Sequence, residues 1–334
     1  MLDSPEAIRS FLREHHVFDT EDAIHVTFLA GGVSSLVIRA ESGGRSVVVK
    51  QALPRLKVHD EWLSRIERSL IEARCTKVLA ELVPGSVPDL VAVDEDRHAF
   101  VMRCAPDAST TWKALLMAGT ISAHTASDAG SLLGRIHARS AARGDLMRDF
   151  EDRSFFDELR LDPYLRTVAH RHPDLADPIA ELLDELLTSR ICLVHGDYSP
   201  KNLLVLPDNS VLLLDHEVAH WGNPAFDTAF ALNHLCLKAL KFPERAPAYV
   251  GCARLFWNSY MAQEPPGRPE IAASTARVLG GLLLARVDGK SPAEYLVTEE
   301  ERKRVRLLAC DFVAQRVSNL DVMFERVVQQ AVHA

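Results

Sequence analysis

The stretch CLVHGDYSPKNLLVLPDNSVLLLDHE, Cys192 to Glu217, packs an unusual density of polar side chains between apolar runs. Short β-branched and leucine-rich segments predict strands at Cys192–Val194, Leu203–Leu206 and Val211–Leu214. Between and beside them stand His195, Asp197, Asn202, Asp215 and Glu217. A folded core does not need such groups, because a buried polar group costs free energy unless it is partnered. The pattern HGDxxxxN, twelve residues, then a strand ending in DxE therefore points to a metal–phosphate site.

Each residue type suits that chemistry. Asp197 lies just past an apolar strand at the start of a loop, where a carboxylate orients a hydroxyl and takes its proton during phosphoryl transfer. Asn202 offers a neutral oxygen to magnesium. Asp215 ends the strand VLLLD, and Glu217 points to the same side if the chain stays extended. Such a pair suits one or two hard divalent cations held with ATP phosphates. Taken singly, these residues also have plain structural readings. A strand-end Asp caps, Asn202 closes a turn, and His195 hydrogen-bonds backbone rather than ligating metal.

The N-terminal third reads differently from the rest. Ser4 and Pro5 start a helix. IHVTFL (Ile24–Leu29), LVIRAE and RSVVVKQA follow as a three-strand meander with a turn at Ser42–Gly44. A long amphipathic helix is expected over residues 60–82, with Leu63, Ile66, Leu70 and Ala73 on one face, then two more strands. Lys50, on the third strand, needs a carboxylate or phosphate partner. Glu72 on the long helix is the candidate, with Glu67 in reserve on the opposite side of the helix. AGGVSS, with Gly31 and Gly32, reads either as a hairpin turn or as a loop whose amides approach phosphates. Beyond CAPDAST the pattern turns mostly helical, which places a boundary near 104 and predicts domains at 1–104 and 105–334.

The 38 basic and 46 acidic residues give a net charge of −8, without the basic surplus of a nucleic-acid binder. ERKRVR (Glu301–Arg306) reads as a solvated helix face. The six cysteines form no CxxC pair, which suits reduced thiols in a cytoplasmic protein without structural zinc. No apolar run approaches membrane-spanning length, so neither a membrane nor a nucleic-acid partner is expected. Neither GxxxxGK[ST] nor a GxGxxG after the first strand is present.

HGDYSPKNLLV and LLDHE, with VVVK and a helix glutamate upstream, resemble the aminoglycoside phosphotransferase and choline kinase group of the protein-kinase-like superfamily. The DxE motif and the segment VVVKQALPRLKV followed by Trp62 are most similar to methylthioribose kinases. The resemblance implies an α+β, bilobal fold: a small N-terminal antiparallel sheet with one long helix for ATP, then a larger, mostly helical lobe. It implies Asp197 as catalytic base, and Asp215, Glu217 and Asn202 around Mg2+. It implies Lys50 on the α/β-phosphates and paired with Glu72, and Met102–Ala105, including Cys104, as the adenine hinge. The acceptor would be a small hydroxylated molecule: a sugar, thiosugar, amino alcohol or aminoglycoside. The enzyme would be a monomer or homodimer. The paired late arginines of methylthioribose kinases are missing, and the nearest candidate for substrate is the single Arg286 in LLARVDGKSPAEY. Trp221 and His220 read as pocket wall or as a packed Trp and a surface His; Arg160 and Tyr164 are weaker candidates. Asp227 reads as structural, with a possible contact to catalytic backbone. Two readings compete: a metal-dependent hydrolase using His195, Asp197 and Asp215, and a nucleotide-binding module without turnover.

Overall fold

The computed structural model describes residues 1–21, 23–29, 35–54, 65–267 and 270–332. Gly31, Gly32, Leu63 and Trp62 lie outside the described residues. The chain forms two compact units, Met1–Ala108 with Leu212–Val218, and Ser109–Val211 with Ala219–Ala334.

The first unit opens with α1 (Pro5–Glu14). Ser4 Oγ accepts the Ala7 amide at 3.2 Å, and Pro5 occupies the first turn, where no amide is missed. Strands β1 (His25–Phe28), β2 (Ser35–Ser42), β3 (Arg45–Ala52), β4 (Leu90–Asp94) and β5 (Ala99–Arg103) form one antiparallel sheet in the order β1-β2-β3-β5-β4. Side chains alternate across it. Val47, Val49, Ile38, Ala40, Ala99 and Val101 join Ile8, Phe11 and Leu12 of α1 in one apolar core. Lys50 therefore leaves β3 on the other face. Helix α2 (Arg68–Leu82) packs against β3, β4 and β5 and carries Lys50's partner Glu72. The helix starts at Arg68, later than residues 60–82 suggested; residues 55–64 lie outside the described residues.

In the second unit, β6 (Thr110–Thr111) leads into α3 (Trp112–Met117) and α4 (Ala123–Ala141). A continuous helical stretch follows, formed by α5 (Ser154–Phe156), a wider π-type segment at Asp157–Arg166, and α6 (Thr167–Arg171). After α7 (Ala176–Thr188) come β7 (Cys192–Val194), β8 (Leu203–Val205) and β10 (His220–Gly222), while β9 (Val211–Leu213) opens the segment Leu212–Val218 that groups with the first unit. Strand β7 pairs antiparallel with β10, and β6 with β8. The remaining helices are α8 (Ala225–Lys241), α9 (Ala246–Met261), α10 (Glu270–Asp288), α11 (Glu299–Ala314) and α12 (Leu320–Val332). The short strands β6 and β10 escaped the sequence reading, since two or three residues carry too little alternation to register.

Helix α8 is buried almost along its whole length and packs on α9, α10 and α12. Helices α4 and α9 approach closely because α4 turns glycines toward α9. A Cβ on Gly130 would sit 2.1 Å from the Phe256 carbonyl oxygen, and one on Gly134 2.7 Å from that of Tyr260. This approach sets His137 of α4 against Tyr260 of α9, with His137 Nδ1 3.0 Å from the Tyr260 hydroxyl.

Candidate active site

In the first unit, Lys50 is 7% exposed, and its ammonium donates to Glu72 Oε1 at 2.7 Å and to Asp215 Oδ1 at 2.5 Å. Glu67 stays exposed at the helix N-terminus. Burial works against the Lys50 charge, but Asp215, Glu72 and Glu217 outweigh it and raise its pKa. The Glu72 carboxyl moves up as well, to about 7, through burial and the nearby Asp215 and Glu217 charges, with Lys50 opposing.

Carboxylate oxygens of Glu72, Asp215 and Glu217 lie within 4.8 Å of one another. The chain between the last two is not extended as the DxE spacing suggested. Asp215 takes a left-handed φ of 70°, a conformation that costs an L-residue about 1–2 kcal/mol. Glu217 is held by a partner that sequence reasoning missed. Arg68 Nε donates to Glu217 Oε2 at 3.0 Å, while its terminal nitrogens donate to the Leu53 and Arg65 carbonyls at 2.7 and 2.6 Å. Arg68 stands four residues before Glu72, hence on the same helix face, and that spacing was the available signal. Two cationic side chains thus face three carboxyl groups, an excess of one acidic group. Hard oxygen donors with surplus negative charge fit a divalent cation. Asp215, at 24% side-chain exposure, is more open than Glu72 or Glu217. Met102 pairs with Val48 on the sheet face that also carries Lys50, and both Met102 and Cys104 are half-buried.

The second unit holds the HGD segment. Gly196 adopts φ 78°, a turn that admits glycine without strain. Asp227, near the start of α8, fixes this turn by accepting the amides of His195 at 2.6 Å and Gly196 at 2.8 Å. His137 Nε2 lies 3.2 Å from the same carboxylate. Burial pushes the Asp227 pKa up, but His137 and His195 pull it further down, so it stays below the ordinary carboxylate range. His195 Nδ1 accepts the Asp197 amide at 3.0 Å, a backbone role.

The Asp197 carboxylate is 2.9 Å from Arg160 Nη2 and 2.9 Å from Lys201 Nζ. Arg160 also donates to the Gly196 carbonyl at 2.8 Å. Sequence reading ranked Arg160 low and did not single out Lys201, although Lys201 follows Asp197 by four residues. Asn202 donates its amide nitrogen to the Asp197 carbonyl at 3.0 Å, which leaves its amide oxygen as the atom for a cation. Arg286 is buried beside Tyr164, 3.1 Å from the phenol oxygen. Trp221 is 3% exposed on β10, which favours the packed reading over a pocket wall. His220 is not a surface residue; it is buried and stacks on Phe156 at 4.0 Å between ring centroids.

The sequence profile of the phosphotransferase enzyme family matches residues 25–249, about two thirds of the chain. The chain belongs to this family. Among curated phosphotransferases it is similar to methylthioribose kinase of Bacillus cereus strain G9842, 26% identical over 259 residues covering 70% of this chain and 66% of that protein. The same protein of Bacillus mycoides strain KBAB4 matches at 26% over 259 residues. The chain thus spans 66% of the length of these relatives. Among solved phosphotransferase structures, an amicoumacin kinase bound to AMP-PNP, Ca2+ and its substrate aligns with a TM-score of 0.56 and 16% identity, covering 94% of this chain and 97% of that one. A macrolide 2′-phosphotransferase from Brachybacterium faecium aligns at 0.53 and 15%, covering 98% of both chains. At such identities the likeness concerns the fold. HGD, DxE and Lys50 all fall within the matched residues 25–249.

Proposed function

We propose that the protein is an ATP- and magnesium-dependent kinase that transfers the γ-phosphoryl group directly to a hydroxyl of a small molecule. The observation that carries this reading is Lys50, buried and bridging Glu72 and Asp215. A lysine fixed between a helix carboxylate and a metal-competent one is poised to steady phosphates rather than to stabilise a core.

In this reading residues 1–104 supply the nucleotide groups: Lys50 meets the phosphates, Glu72 orients Lys50, and the segment around Met102 and Cys104 receives adenine. Gly31 and Gly32 keep their expected role toward phosphate. Asp215, Glu217 and Asn202 would hold magnesium, which when bound neutralises phosphate charge. Residues 105–334 supply the acceptor groups. Asp197 orients the acceptor hydroxyl and takes its proton as the new O–P bond forms and the bond from the γ-phosphorus to ADP breaks. Asp227 and His195 hold the HGD turn, while Arg160 and Lys201 hold the carboxylate of Asp197 in place. Family membership and the methylthioribose kinase relatives support a small hydroxylated acceptor such as a sugar or thiosugar. Among the described residues no helix is long and apolar enough to cross a membrane, in keeping with a cytoplasmic enzyme.

The hydrolase reading is weaker. Among the described residues the grouped metal-competent side chains are all carboxylates, and His195 Nδ1 is used on backbone.

The test is ADP formation across pentoses, thiosugars, amino alcohols and aminoglycosides. Asp197→Asn should lower kcat on the order of 10²–10⁴-fold with the KM for ATP little changed, and Lys50→Ala should raise the KM for ATP. Full turnover in the Asp197 variant, with the preferred acceptor, would remove the base assigned here.

A further inference from the structure

The second unit carries cations that the transfer chemistry does not use. Lys238, on the otherwise apolar α8, has 0% exposure. Its ammonium donates to the His234 carbonyl at 3.3 Å and lies 5.0 Å above the Tyr295 ring. No carboxylate partners it among the described residues. Arg286, 7% exposed, donates to neutral oxygens only: Tyr164 Oη at 3.1 Å, the Ser291 carbonyl at 2.5 Å and Ser291 Oγ at 3.1 Å. Its Nε and the Tyr295 hydroxyl are buried without a hydrogen-bond partner.

Buried cations ordinarily bring their own carboxylates, because an uncompensated buried charge is costly. Glu294 and Asp197, the carboxylates that act on these groups, already have partners: Glu294 pairs with Lys113, and Asp197 with Arg160 and Lys201. Cations act on the neighbouring titratable groups. Burial lowers the His234 pKa, and Lys238, Arg286, Lys201 and Lys113 lower it further. Burial opposes ionisation of the Tyr164 phenol, yet Arg286 and Arg160 overcome it and bring its pKa below the ordinary value, against Asp197. Tyr164 therefore links Arg286 to the surroundings of the catalytic carboxylate. A helix core that needed only packing would be filled by methionine or leucine at position 238.

We propose that Lys238 and Arg286 form an anion subsite for the acceptor, which is a hydroxylated small molecule bearing a carboxylate or a phosphate ester. The word acceptor rests on the kinase reading; the anion subsite itself does not. A positive subsite recognises such a molecule and disfavours polycationic aminoglycosides.

Two measurements test this. In the first, ADP formation is compared for hydroxy acids such as gluconate, sugar phosphates, neutral sugars and polyols, and aminoglycosides. An anionic compound should be preferred, and Lys238→Met and Arg286→Met should each raise its KM by roughly ten- to a hundredfold with the KM for ATP unchanged. The ranking of gluconate against sugar phosphates tells carboxylate from phosphate. Preference for a neutral or cationic acceptor, or unaltered KM values in both variants, overturns the subsite.

The second measurement needs no turnover. Inorganic phosphate should raise the melting temperature of the wild type more than that of Lys238→Met, and equal shifts overturn the subsite. A selective phosphate shift with no acceptor phosphorylated would keep the subsite and remove the kinase. Turnover of a neutral acceptor with equal shifts would do the reverse.

Discussion

Lys50 and Lys238 are both buried lysines, and their surroundings give them opposite properties. Lys50 is ringed by carboxylates and held cationic. Lys238 is pushed down to about 7, first by burial and then by Lys113, with Glu294 opposing and Arg286 adding the smallest share. The consequence for stability follows from proton linkage. Between about pH 7 and 10.5 the unfolded chain keeps this proton while the folded chain has lost it, so the unfolded state binds more protons and stability rises with pH. Below that window both states are protonated, and the folded state bears the cost of the buried charge. In denaturant titrations at several pH values, Lys238→Met should remove a slope of at most about 1.4 kcal/mol per pH unit from this window. The variant should also be more stable than the wild type at pH 7, since an apolar side chain of similar length replaces the buried charge. His234, whose pKa is lowered by burial and by the surrounding cations, stays neutral across that range. At this scale the sequence named Lys50, Asp197, Asn202, Asp215 and Glu217, because their types and spacing are themselves unusual. It passed over Arg68 and Lys201, whose roles depend on what they touch.

Helix α2 shows why elements are harder to read than motifs. Its buried face runs through Arg68, Ser69, Glu72, Ala73, Cys75, Thr76, Leu79 and Leu82, so half of what it turns inward is polar. The apolar period that marks a core helix is therefore faint, and a pattern-based reading carried the element through residues 65–67, which precede the helix, and took Leu70 for part of the inward face. Helix α4 is the opposite case, with apolar spacing that is plain and a decisive contact made by glycines. Gly130→Val should force α4 away from the Phe256 carbonyl and cost about 1–3 kcal/mol by overpacking, read by denaturant unfolding. Because His137 rides on the same helix and meets Asp227, kcat should fall in the surviving folded fraction while the KM for ATP stays near its ordinary value.

Over the whole molecule, a net charge of −8 coexists with a positive region around Lys238 and Arg286, so bulk charge carries no information about the acceptor. The seven residues Leu212–Val218 belong to the first compact unit although both flanks belong to the second, a grouping that a boundary drawn near residue 104 does not contain. Ligand linkage at this scale is direct. AMP-PNP with Mg2+ at a hundred times its dissociation constant should stabilise the protein by about 2.7 kcal/mol, measured as a rise in melting temperature. That gain should shrink in Asp215→Asn, and an equal rise in wild type and variant would detach Asp215 from metal and nucleotide. The order of strands and helices, the antiparallel meander and the acid–amide motifs were determined by local pattern, because periodicity, turn residues and motif spacing act over a few residues. Partnership was decided only by the tertiary structure: Arg68 on Glu217, Arg160 on Asp197, and Lys238 with no carboxylate partner among the described residues. Those outcomes depend on which side chains the packed backbone brings within hydrogen-bond reach across tens to hundreds of residues, and no local pattern encodes such a distance.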